Sequence, residues 1–175
     1  MTQVQQHRSK PPGIKLQKVL EQIKVDAPKL DQILSSTSPV ALQLGVTPAV
    51  AMKFTVTQCS EWYEMARALC DAGEFQKALP ICAHLSALDL LHPGYAFLAG
   101  TCFQRTGKHE EAMLMFQSSV LLHNAPITLF RIGECLHALG RNFEALGVLR
   151  KSAAAAVATK IKALFHGNEA FVFWE

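Results

Sequence analysis

Charge is scarce in this chain of 175 residues: 18% of positions are Asp, Glu, Lys or Arg, and the formal net charge is +3. What basic excess exists lies near the start. Residues 1–34 hold six Lys/Arg (Arg8, Lys10, Lys15, Lys18, Lys24, Lys29) against three acids (Glu21, Asp26, Asp31), and the remainder balances at eleven of each sign. Phosphate tracking needs a dense basic face, so this distribution counts against nucleic acid as the main partner. Long apolar runs are missing too. Crossing a bilayer takes about 18 consecutive apolar residues, and the alanine-rich run from Ala153 to Ala158 falls far short. The start, MTQVQQHRSKPPG, lacks the apolar core of a secretory signal. The expectation is a cytoplasmic protein that does not insert into membranes.

Cysteine pairs are also absent. The five cysteines (Cys59, Cys70, Cys82, Cys102, Cys135) are an odd set with no CxxC, and each lies in a segment of helical pattern. Reduced, mostly buried thiols are the simplest account. The seven histidines include no HxxxH or HExxH arrangement, and no GxGxxG, GxxxxGK[ST] or GxSxG motif occurs. Zinc, nucleotide and serine-hydrolase chemistry therefore have no sequence support. Cys70 and Cys135 with His84 or His137 would be the only nucleophile and base to hand, and helical cysteines of this kind read as packing residues. No enzyme, metal or cofactor is expected.

What the chain does have is apolar content, 50% of residues, enough for one self-sufficient domain at this length. It also has internal repetition. Three segments share a skeleton: WYEMARALCDAGEFQKALPIC from Trp62, AFLAGTCFQRTGKHEEAMLMF from Ala96 and LFRIGECLHALGRNFEALGVL from Leu129. Each has an early small residue (Ala66, Gly100, Gly133), then a large apolar one (Leu69, Phe103, Leu136), a glycine (Gly73, Gly107, Gly140) and an alanine (Ala78, Ala112, Ala145), at steps of 34 and 33 residues. Apolar residues before and after each glycine fall at three- and four-residue spacing, so each unit is two amphipathic helices. The glycine supplies a left-handed turn between them. The small residues belong where the two helices cross, since bulk there would wedge the pair apart.

On these residues the chain resembles the tetratricopeptide repeat, a helix-turn-helix unit that stacks into a right-handed solenoid. Trp62 and Phe75 fit its aromatic positions, Phe116 the large residue of its second helix, Pro93 and Pro126 its repeat-ending proline, and the resemblance covers roughly residues 60–155. It implies an all-α fold: a disordered tail over 1–13, a helical N-terminal extension over 14–58, three repeats over 59–156 and a capping segment over 157–175. In the extension, Leu16, Val19, Leu20, Ile23, Ala27, Leu30, Ile33 and Leu34 share a helical face, with Pro28 a candidate break and Ser35 to Pro39 a hinge. A short helix is expected between Pro39 and Met52. The last helix is prolonged through the alanine run or followed by another.

The resemblance further implies a concave groove lined by the first helix of each unit. Its inward residues would be Tyr63, Arg67 and Cys70; Phe97, Leu98, Thr101 and Gln104; and Ile127, Phe130, Arg131 and Glu134. That face suits an extended apolar peptide. A carboxylate clamp of the kind that holds chaperone tails would need Lys and Asn, then Lys and Arg, where this chain has Tyr63, Arg67, Ile127 and Arg131, so only Arg131 matches. A closer resemblance is to the class II chaperones of type III secretion, which hold hydrophobic translocators before export. It rests on Gly45-Val46-Thr47 before the first repeat, on Tyr63 at a groove-tyrosine position, and on LSALDLLHPGYAFLAGTC from Leu85 to Cys102. Cys70 and Arg67 depart from the aromatics usual there, and Met1–Ser35 has no counterpart. This family implies a hydrophobic translocator segment as partner and a possible homodimer through Leu16, Val19, Leu20, Ile23, Leu30 and Ile33. A general repeat scaffold and a regulatory partner of a transcription factor are the alternatives.

Overall fold

The computed structural model describes residues 15–38, 40, 44 and 46–166, with side chains to residue 160. The tail over 1–13 and residues 167–175 of the expected cap lie outside them. Every regular element among the described residues is a helix: α1 (Leu16–Ser36), α2 (Pro48–Ala51), α3 (Val56–Asp71), α4 (Phe75–Leu88), α5 (Pro93–Arg105), α6 (His109–Leu122), α7 (Pro126–Ala138) and α8 (Asn142–His166). Helices α3/α4, α5/α6 and α7/α8 pack as pairs, and each pair packs on the next. The fold is the all-α tetratricopeptide-type solenoid that the repeats imply.

The turn inside each pair is built the same way three times. Gly73, Gly107 and Gly140 have φ of 77°, 80° and 76°, in the left-handed region that a side chain opposes. The next residue's N–H then reaches back five positions: Glu74 to the Leu69 carbonyl at 2.8 Å, Lys108 to Phe103 at 2.9 Å, and Arg141 to Leu136 at 2.9 Å. These bonds satisfy carbonyls that the helix end leaves open. Helix starts are equally local in origin. Thr55 and Gln58 form a reciprocal capping box on α3. Pro93 and Pro126 open α5 and α7, where a missing N–H costs nothing.

The small residues sit at the crossings. A β-carbon on Gly133 would lie 2.6 Å from the Leu149 side chain, and Ala66, Ala78 and Ala112 are fully buried. Leu85, Ile81 and Trp62 anchor one core cluster between units one and two, and Phe116 with Leu136 and Ala145 forms a second between units two and three. Ser152, buried on α8, donates to the Pro126 carbonyl at 2.7 Å and so ties the last helix to the start of α7.

The extension departs from expectation in two respects. Helix α1 runs unbroken through Pro28 and includes Ser35 and Ser36, so the break and the start of the hinge do not occur there. Its two ends are held by separate contacts, Val19 in the first core cluster and Leu30 against Ala49 and Leu88, which offsets the hydrogen bond that proline removes. The short helix expected before Met52 is a single turn, α2. Pro39 and Gly45 lie outside the described residues. At the other end, α8 continues through the alanine run to His166 as one helix.

Candidate peptide-binding groove

Units one and two meet at an aromatic cluster. The Tyr63 ring lies 5.2 Å from that of Tyr95 and 6.2 Å from His92, and His92 stacks on Tyr95 at 3.8 Å. His92 is fixed by a second duty: its Nδ1 accepts the Tyr95 backbone N–H at 3.3 Å and so caps α5. Between them Gly94 leaves the space, since a β-carbon there would stand 3.3 Å from the Tyr63 hydroxyl. The Arg67 guanidinium lies 6.0 Å from the Tyr63 ring centroid, at the outer limit of a cation–π contact, and pairs with Glu64 at 3.5 Å. Burial raises the Tyr63 phenol above its ordinary pKa and pushes Tyr95 up to about 12, so both stay neutral donors. Burial also lowers the His92 imidazole, which keeps it uncharged at neutral pH.

Units two and three are joined by polar groups. The Glu134 carboxylate accepts from Arg131 at 2.9 Å and from Gln104 Nε2 at 3.2 Å, bridging α5 to α7. Gln104 Oε1 and Arg131 Nε, both shielded from solvent, have no hydrogen-bond partner within the chain. That leaves one acceptor and one donor unmet at the seam. Ile127 and Phe130, on the same helix, are 37% and 42% exposed, large apolar groups in contact with water.

The other predicted residues are placed differently. The Phe97 ring lies 5.6 Å from Phe116, so it packs within the second core cluster rather than standing free. Leu98 is half-buried against the first cluster. The half-buried Thr101 donates its hydroxyl to the Phe97 carbonyl at 3.0 Å, within its own helix. Cys70 Sγ lies 3.3 Å from Cys102 Sγ, and Cys82 Sγ is 3.6 Å from Cys102, so three of the five thiols converge in the core between units one and two. Sequence spacing did not bring these together because Cys70 and Cys102 belong to different units. His92 and Tyr95 were likewise missed as site residues; the signal was the aromatic pair flanking Pro93-Gly94.

Of the six residues expected at a dimer interface, Val19 and Leu30 are 1% and 4% exposed within the single chain, and Leu16, Leu20 and Ile23 pack beside Val19. Ile33 is half-buried. A cavity of about 330 Å³ lies between α1 and the start of α3, lined by Lys18, Asp26, Lys53 and Trp62, and is separate from the predicted groove. Among the described residues, no helix is long and apolar enough to cross a membrane.

This geometry defines a tetratricopeptide-type repeat module with a mixed aromatic and polar face on its leading helices. No family model matches the chain, and no curated protein matches it. Solved structures do. A type III secretion system (T3SS) complex from Aeromonas hydrophila aligns with a TM-score of 0.64 at 23% identity, covering 68% of this chain and 80% of that one. The Yersinia enterocolitica type III secretion translocator chaperone SycD aligns at 0.56 and 19% identity, covering 69% and 96%. MamA aligns at 0.56 and 16%, covering 83% and 86%. The chain shares their fold.

Proposed function

We propose that this protein is a cytoplasmic chaperone of bacterial type III secretion that binds an extended, apolar, Pro- and Leu-containing segment of a hydrophobic translocator. The observation that carries the reading is the run of groups along the leading helices. Tyr63 stands against Tyr95 at one end, Ile127 and Phe130 are exposed at the other, and the Glu134 carboxylate joins Gln104 of unit two to Arg131 of unit three. Apolar side chains of a client would cover Ile127 and Phe130. The likeness to SycD supports the same reading, with the fold alone as its warrant.

The mechanism is stoichiometric. Binding removes an aggregation-prone segment from water, and the chain contributes no catalytic step. Release belongs to the export machinery. Because Val19 and Leu30 are occupied within the chain, dimerisation through that face of α1 is no part of this reading. Co-expression with translocators encoded nearby tests it: one of them becomes soluble with the native chain and returns to the insoluble fraction with Tyr63→Ala or Phe130→Ala. A permanent, non-secreted complex as the only partner recovered would replace it with the scaffold alternative.

A further inference from the structure

Three cysteines meet where α3, α4 and α5 touch. Cys82 occupies the position in unit one that Phe116 and Leu149 hold in units two and three, so a small side chain stands where the other units place a bulky one. Into that space come Cys70 from α3 and Cys102 from α5. The sulfurs are 3.3 Å apart for Cys70 and Cys102 and 3.6 Å for Cys82 and Cys102, and all three lie within 4.8 Å of one another. In such a triangle, an ion at a metal–thiolate distance of about 2.3 Å from each sulfur sits in or close to their plane. Cys82 and Cys102 are buried, and half-buried Cys70 provides an entry path.

We propose that Cys70, Cys82 and Cys102 form a three-sulfur site for a soft monovalent ion, Cu(I), that clips unit one to unit two. Thiolate sulfur selects soft ions, and a three-coordinate ion needs no fourth ligand, whereas Zn(II) in a structural site takes four. On binding, Cys70, Cys82 and Cys102 enter as thiolates, their three protons passing to solvent. The ion and three thiolates then carry two net negative charges. No electron is transferred. The proposal does not rest on the peptide-binding reading, although Cys70 is also one of the expected groove residues.

The test is an anaerobic titration of the fully reduced chain with Cu(I), in competition with a chromophoric Cu(I) chelator. The expected result is one tightly held ion per chain, a rise in melting temperature, and affinity reduced at least roughly tenfold in Cys70→Ser and Cys102→Ala. Cys59→Ser, outside the cluster, keeps the native affinity. Helical circular dichroism checks each variant, and half-buried Cys70 supplies a substitution that leaves the core intact. Retention of Zn(II) in preference to Cu(I), equal Cu(I) affinity in Cys70→Ser and native protein, or no retained ion at all would each overturn the proposal.

Discussion

A β-carbon built on Gly100 would stand 2.7 Å from the Phe116 ring, so the two helices of unit two touch backbone to aromatic face. In an exposed helix, replacing glycine by alanine stabilises by about 1 kcal/mol through backbone entropy. At Gly100 the gain is outweighed, because Phe116 is fully buried and has no room to withdraw. Gly100→Ala and Gly133→Ala are expected to lower unfolding free energy by about 1–3 kcal/mol. Gly147, with nothing within 4 Å of its would-be β-carbon, gives the opposite sign, a gain of about 0.5–1 kcal/mol. Urea unfolding of the three variants reads both signs; a stabilised Gly100→Ala would contradict the crossing.

Helix α1 is a brace on its own chain. Leu30→Ala leaves a cavity against Ala49 and Leu88 and should cost about 2–4 kcal/mol. Val25→Ala, on a residue 73% exposed, should stay within about 0.5 kcal/mol. Both losses should be independent of protein concentration, since the contacts are intramolecular. A Leu30→Ala penalty that grows on dilution would place that face between two copies instead.

Stability should fall as the solution is acidified. His84 lies against Trp62 at 5.8 Å and Phe54 at 6.0 Å, and burial pulls its pKa below the ordinary value of 6.5, with Asp26 opposing more weakly. The unfolded chain therefore takes up the proton first as pH drops, and stability is full above about pH 6.5 and declines below it. His92 shifts the same way. The Nε2 of His84 has no hydrogen-bond partner to strand, so His84→Leu should flatten the slope between neutral pH and the acid range without abolishing it. Thermal melts across that range in both proteins measure this; parallel curves would remove His84 from the account.

How legible the sequence was depends on whether a feature is local. Gly73, Gly107 and Gly140 end helices by backbone geometry alone, and the small residues at Gly100 and Gly133 repeat at a fixed interval, so the paired helices could be read directly. Pro28 misled because its cost is local while the contacts that offset it, at Val19 and Leu30, are tertiary. Phe97 and Phe130 occupy equivalent repeat positions, yet one packs on Phe116 and the other stands in water, since the residues around them differ between units. The thiol cluster was invisible for the same reason: Cys70, Cys82 and Cys102 come from three helices, and no spacing rule encodes their meeting.

Isothermal titration of a translocator-derived peptide, an extended segment rich in Leu and Pro, against the native chain and against Tyr63→Ala and Phe130→Ala tests the groove most directly. Truncating an anchor is expected to weaken binding by on the order of 2 kcal/mol, roughly thirtyfold, with helical content unchanged. Native affinity in both folded variants would contradict the claim that the leading helices hold the client.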